Sequence, residues 1–376
     1  MSLTLDARPT ERMRARPASG PQAAVGVIDC DIHPSMRSLD VLADYLPTKW
    51  RTHFQNYGLR MRQPFVTAPS YPKATPALSR LDSWPPSGGP PGSDLAFMRE
   101  QLLDAHNVIY GVLHTLFPVG MMERNLDFGA AVCSAVNDWQ YAEWTQPEPR
   151  LKGSINVQGE EPEAAVAEIE RWAGNRDFVQ VAMVCRAIEP LGRKRYWPIY
   201  EAAQRHGLPV GLHLSGENGY AQTGTGWPSY YAENHHSSSM MQRSLAASLI
   251  LEGVFEVFPS LKIVLVEGGF AWIPAWSWRL DHQWERMRDE VPHLKRRPSE
   301  YLKTNFWFTT QPVDEPEKPE HLRDVIDWIG WDRLLFASDY PHWDFDDPAL
   351  AFKIRMSPAE RRMLTVDNAR ALYGLS

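Results

Sequence analysis

Short runs of apolar and β-branched residues recur along the chain, each followed by a stretch in which apolar positions return every three to four residues. Eight such runs predict strands over residues 25–30, 108–114, 151–157, 178–184, 209–214, 262–267, 305–310 and 334–337. The runs VIYGVLH and KIVLVE are almost continuously apolar, the pattern of a strand with helices outside it and packed side chains inside. After the fifth strand, MMQRSLAASLILEGVF repeats Met241, Leu245 and Leu249 at four-residue spacing, and Ser237, Ser238 and Ser239 offer N-caps for that helix. Eight strand–helix repeats predict an α/β fold, a (β/α)8 TIM barrel. A doubly wound open sheet is the competing fold, but no G-x-G-x-x-G follows the first strand, where the chain reads DCDIHPS.

Two stretches break the pattern. Residues 1–24 mix Arg8, Arg12, Arg14 and Arg16 with Pro, Ser and Ala, and Asp6 and Glu11 interrupt any transit-peptide character, so a flexible solvated leader is expected. Residues 62–94, with prolines from Pro64 to Pro91, form a long insertion after strand one. Its aromatics Phe65, Tyr71 and Trp84 point to a loop covering the barrel mouth. The remaining chain, 25–376, is expected to form one barrel domain.

Composition narrows the function. With 376 residues, 43% of them hydrophobic, the chain can carry a barrel of roughly 250 residues plus insertions. A net charge of −7 without a basic stripe argues against nucleic acid as a partner. The chain has no apolar run of about 18 residues and no signal-peptide core near residue 1, so a cytoplasmic protein without membrane contact is expected. Cys30, Cys133 and Cys185 lack C-x-x-C spacing and fit free thiols in a reducing compartment.

Catalytic groups of βα barrels sit at the C-terminal ends of strands. Here strand one runs into Asp31-Ile32-His33, strand five ends at His213, strand six at Glu267, and strand eight runs into Asp339 and His342. Asp31 and His33, two apart on extended backbone, share a face and can chelate one ion. With His213 and Asp339 they make a mixed nitrogen and oxygen set suited to a divalent metal with an open position.

From residue 25 onward the chain resembles the amidohydrolase superfamily, in its aminocarboxymuconate-semialdehyde decarboxylase-like branch. The motifs IDCDIHP, GLPVGLHLSG, VFEVFPSLKIVLVEGG, FASDYPHWD and DNARALYGL carry the resemblance in this order. It implies a (β/α)8 barrel, a homodimer, and one metal ion, commonly zinc, held by Asp31, His33, His213 and Asp339. The reaction implied is non-oxidative decarboxylation of a small aromatic or unsaturated carboxylic acid. Two departures matter. Asp-x-His replaces the branch's His-x-His or Glu-x-His, which brings manganese or magnesium into range beside zinc. Glu267-Gly268-Gly269 replaces His-Gly-Gly, so Glu267 inherits the position of the branch's water-activating His and becomes a base or a further ligand.

His235 and His236, ahead of the helix after strand five, are candidate acid–base groups, against a capping or solvent-facing role. His342 is a candidate to bind substrate or to orient Asp339. Arg279 aligns roughly with an arginine that the branch uses at the active site or dimer interface to grip a substrate carboxylate, against pairing with Asp281 or stacking on an indole. Arg186, beyond strand four, is placed to meet an anionic substrate. Glu267 also opens a hydrolytic alternative, in which an ester, lactone or amide is cleaved on the same barrel. A noncatalytic metal- or ligand-binding barrel is the third reading.

Overall fold

The computed structural model describes residues 26–59, 76–117, 120–214 and 226–376; the leader and the start of the insertion, with Phe65 and Tyr71, lie outside them. Eight parallel strands pair in sequence order: β1 (Val27–Ile32), β2 (Val108–Leu113), β3 (Leu151–Asn156), β4 (Phe178–Val184), β5 (Val210–His213), β6 (Ile263–Val266), β7 (Phe306–Thr309) and β8 (Leu334–Leu335). Three backbone bonds draw the last strand to the first: Cys30 N–H to Phe336 O at 2.9 Å, His33 N–H to Tyr340 O at 2.8 Å and Asp339 N–H to Asp31 O at 3.1 Å. The fold is the expected TIM barrel, and every predicted strand falls on an observed one to within two residues at either end.

Two apolar layers hold the barrel. Outward-facing Val181, Leu212, Leu265, Phe306 and Phe308 pack with helix residues such as Tyr200, Leu249 and Ile326. Ile28, Cys30, Val112, Val179, Val264, Val266 and Leu335 meet in a second cluster. Strands β1, β2, β4, β6 and β8 all contribute to it, which places it inside the barrel. The C-terminal helix Asn368–Tyr373 adds Ala369, Leu372 and Tyr373 to this plug.

The rim departs from expectation in one place. Helix Ser238–Leu251 follows directly on helix Tyr231–His236, so Asn234, His235 and His236 lie within a helix instead of preceding one. Ser237 keeps near-helical dihedrals, and its hydroxyl donates to Glu233 O at 2.8 Å, so it makes no side-chain cap. The described part of the insertion lies on the rim. Ser79 pairs with His342, Arg80 N–H donates to Pro341 O at 3.0 Å, and Trp343 N–H donates to Leu78 O at 2.8 Å. Gly92 has φ +75°, and a Cβ there would fall 2.4 Å from the carbonyl oxygen of His33, so glycine alone lets the insertion close on β1. Among the described residues no helix is long and apolar enough to cross a membrane, and the three cysteines are free and buried.

Leu212, fully buried beside His213 in β5, ties the outer layer to the site strand. Leu212→Ala is expected to cost about 2–5 kcal/mol in urea unfolding while the folded protein keeps the metal content of the parent.

Candidate metal centre and active site

Asp31, His33, His213 and Glu267 bring one ligand atom each within 4.8 Å of one another, and His33, Asp339 and His342 form an overlapping group. His33 Nε2 lies 3.3 Å from Asp31 Oδ1 and 2.7 Å from Asp339 Oδ1. His213 Nε2 lies 3.6 Å from Asp31 Oδ2 and 3.2 Å from Glu267 Oε2. A register shift in β1 between Asp29 and Ile32 re-aims this end of the strand as it enters the rim. Glu267 and Asp339 both hold left-handed backbone, φ +60° and +63°, an arrangement that non-glycine residues adopt at a cost of about 1–3 kcal/mol each. After Glu267, a Cβ on Gly268 would sit 1.9 Å from Gln242 Oε1. The glycine therefore makes room for Gln242, which donates to Val266 O at 2.7 Å and pins the end of β6.

Proton accounting shows what this cluster accommodates. His33 Nδ1 faces the carbonyl oxygen of His114 at 2.9 Å, so Nδ1 carries the proton. Burial holds His33 well below its ordinary range, hence neutral, and its Nε2 lone pair then points at the carboxylate of Asp339. Either a proton on Asp339 lies between them or a cation beside the contact is shared by both. Both oxygens of Asp31 and His213 Nε2 are buried with no hydrogen-bond partner. Burial, reinforced by Glu267, Asp344 and Asp31, raises Asp339 well above the carboxylate range. Burial raises Glu267 to about 8, although His213 opposes it. Burial alone would lower His213, but Asp31 and Glu267 lift it to about 9. Two imidazoles and two or three carboxylates short of positive charge fit one divalent cation with N and O ligands.

Further polar residues surround the cluster. His342 stacks on His33 at 4.5 Å, and its Nδ1 lies 2.7 Å from Asp339 Oδ1. Burial lowers His342 and His114 to about 4. His114 Nε2 meets the Gln180 amide at 2.7 Å, and Gln180 in turn accepts from the Tyr373 hydroxyl at 3.2 Å. Gln311 Nε2 donates to Asp339 Oδ2 at 3.1 Å and to Asp344 Oδ2 at 3.0 Å. His235 Nε2 lies 3.1 Å from the same Asp344 oxygen.

Of the residues singled out in the sequence, Asp31, His33, His213, Glu267, Asp339 and His342 converge, and His235 stands at the edge through Asp344. His236 is exposed at the end of its helix, and Arg279 is exposed within helix Ile273–Arg286; the cluster includes neither. Asp281 bonds Ser299 by backbone and hydroxyl, not Arg279. Arg186 lines a cleft with Cys185, Met241 and Trp284, beside the β4 end. Sequence reasoning passed over His114, Gln311 and Asp344. His114 directly follows β2 and Gln311 lies two residues past the end of β7, so the strand-end rule would have found both.

The barrel and its strand-end imidazoles and carboxylates define the class, a TIM barrel built around a cation site. A family model described as amidohydrolase matches residues 28–375, and the chain belongs to that family. It is 26% identical over 302 residues to a gamma-resorcylate decarboxylase of Polaromonas sp., with 75% of this chain and 88% of the relative covered. An amidohydrolase from Mycobacterium avium subsp. paratuberculosis superposes with TM-score 0.72 at 22% identity, over 93% of this chain and 99% of that one. A dihydroxybenzoic acid decarboxylase of Polaromonas sp., with bound manganese and the inhibitor 2-nitroresorcinol, gives 0.63 at 23%, over 93% and 97%. These structural likenesses are likenesses of fold.

The cluster yields a pH signature. In the metal-free protein Glu267 and His213 bind protons more tightly folded than unfolded. The stability they contribute is present below their unfolded values and is lost as pH rises through about 8 and about 9. The depressed imidazoles of His33, His114 and His342 are already neutral in both states over that window and do not offset the loss. The Tm of metal-stripped protein is expected to fall from about pH 7.5 to about pH 9, and a flat Tm would contradict the assignment. Elemental analysis of Asp31→Ala and His213→Ala, beside the parent with about one metal per chain, should show the ion lost from both.

Proposed function

We propose that the protein is a metal-dependent, non-oxidative decarboxylase of a small aromatic carboxylic acid. The observation that carries this reading is the neutral His33 facing Asp339, with both Asp31 oxygens and His213 Nε2 buried without partners beside them, in a chain whose relative is a gamma-resorcylate decarboxylase. Asp31, His33, His213 and Asp339 are the proposed ligands. When bound there, a divalent ion supplies positive charge to the substrate oxygens and stabilises charge developing as carbon dioxide leaves. The carboxylate-rich set, and a neighbour of the same fold that holds manganese, favour manganese over the zinc implied by the branch.

The chain's own groups do the remaining work. The bond from ring carbon to carboxylate breaks, its electron pair stays on the carbon, and a proton must replace the departing carbon dioxide. Glu267, 3.2 Å from His213 Nε2, and His235 are the groups proposed to hold that proton. His342 fixes Asp339, and Arg186, beside the end of β4, is the side chain proposed to meet an anionic substrate. The exposed Arg279, next to the exposed Trp278, suits a second copy of the chain in a homodimer better than its own pocket. Buried free cysteines suit a cytoplasmic location.

A hydrolase is the competing reading, favoured by a carboxylate where the branch carries His. Product analysis separates them. Metal-loaded protein given carboxyl-labelled gamma-resorcylate and related hydroxybenzoates is expected to release labelled carbon dioxide, with turnover at background in Asp339→Ala. Oxygen from labelled water appearing in the product of an ester, lactone or amide, without carbon dioxide release from any acid, would replace the decarboxylase with a hydrolase. Stoichiometric metal with no turnover of either kind would leave a binding barrel.

A further inference from the structure

One carboxylate oxygen at the mouth serves two partners. Asp344 Oδ2 accepts from His235 Nε2 at 3.1 Å and from Gln311 Nε2 at 3.0 Å, and the same Gln311 nitrogen reaches Asp339 Oδ2 at 3.1 Å. These residues come from separate elements: His235 from helix Tyr231–His236, Gln311 from the end of β7, and Asp339 and Asp344 from the segment after β8. Gln311 is fully buried, so its amide cannot exchange these partners for water without opening the rim. The His235 ring is set further by Tyr231 at 5.7 Å and Trp343 at 5.6 Å, and Trp343 Nε1–H donates to the Tyr231 hydroxyl at 3.1 Å.

We infer that Asp344 is a positioning residue that holds His235 as the proton-carrying half of a His–Asp pair and, through Gln311, registers that pair against the outer oxygen of Asp339. An imidazole whose Nε2–H is committed to a carboxylate keeps its tautomer and orientation, and the proton it can hand on is the one at Nδ1. Resting on the decarboxylase reading, the step is balanced. The carbon–carbon bond to the carboxylate breaks, carbon dioxide departs, and the electron pair left on the ring carbon takes the Nδ1 proton of the His235 imidazolium. Water returns a proton to the neutral imidazole, and the hydroxide left combines with the released carbon dioxide as bicarbonate. Asp344, bonded by His235 and near His342, is held below the ordinary carboxylate range despite its burial. The hydrogen bond to Asp344 raises His235, burial opposes it, and the charges of Asp344 and Glu267 add to the rise; His342 also senses His235.

The test uses full-length metal-loaded protein with isotopically labelled histidine, the His235 resonance being the one absent from His235→Gln. Asp344→Asn is expected to lower the His235 titration midpoint by about one pH unit. It should also lower kcat on gamma-resorcylate by about a hundredfold with KM changed less than about threefold. Asp344→Glu should restore part of both, and Asp344→Asn combined with His235→Gln should be little worse than either alone. An unmoved midpoint in a folded Asp344→Asn protein of parental metal content overturns the pairing. A lowered midpoint with kcat intact overturns the proton-transfer role and leaves the pair structural. If the parent releases no carbon dioxide from any acid while the midpoint still drops, the decarboxylase reading fails and takes the transfer step with it, whereas the Asp344–His235 pairing stands.

Discussion

A neutral imidazole nitrogen 2.7 Å from a buried carboxylate oxygen, its other nitrogen already spent on a carbonyl, is the constraint around which the barrel mouth is arranged. Lone pair facing lone pair is repulsive, and burial removes the water that would screen it. The fold tolerates the contact because positive charge, as a proton or as a cation, can occupy it. The bare oxygens of Asp31 and the unpartnered Nε2 of His213 extend the same deficit across the rim, from β1 to β5. Protons fill such a deficit diffusely, raising Asp339, Glu267 and His213 together; one divalent ion fills it at a point.

Holding these groups in register falls to the scaffold. Parallel strands packed on both faces supply rigid ends, and the strain of left-handed backbone at Glu267 and Asp339 persists because the neighbours over-determine it. Glu267 N–H donates to the Thr309 hydroxyl at 3.0 Å, and Gln242 pins the preceding carbonyl. Asp339 N–H is bound to Asp31 O, and its side chain to Gln311 and His342. Both strained residues thus present carboxylates to the pocket from positions with little freedom left, which is preorganisation assembled from ordinary hydrogen bonds.

The strands were legible in the sequence because burial on both faces leaves near-continuous apolar runs, and the convergence of Asp31, His33, His213 and Asp339 was legible because barrel chemistry collects where those runs end. Ser237 shows where local signals mislead: serine before a helix suggests a cap, but a second helix runs straight into it and holds it in near-helical dihedrals. Asp344 was invisible for a different reason. It belongs to no recognisable spacing, and its meaning comes from convergence of the segment after β7, the segment after β8 and the helix after β5, which only the folded chain brings together. Arg279 illustrates the reverse, a residue suggested by resemblance that the fold of one chain carries to its exposed surface.

Charge balance decides what the departure at position 267 means. Asp31, Asp339 and Glu267, all ionised, would outweigh a single divalent ion and leave the pocket net negative, a poor receptor for a carboxylate substrate. A His at position 267, as in the branch the chain resembles, would not create that excess. This chain therefore needs compensation at the mouth. Burial favours a protonated Glu267, which removes the excess, whereas a protonated His235 is balanced by the ionised carboxylate of Asp344 and leaves the sum unchanged. In the proposed reaction the proton on Glu267 that lets the anion in is also one that can be given to the carbon when carbon dioxide leaves. Substrate binding and proton supply are then set by the same protonation state, and the carboxylate at position 267 is compatible with decarboxylation only as part of that arrangement.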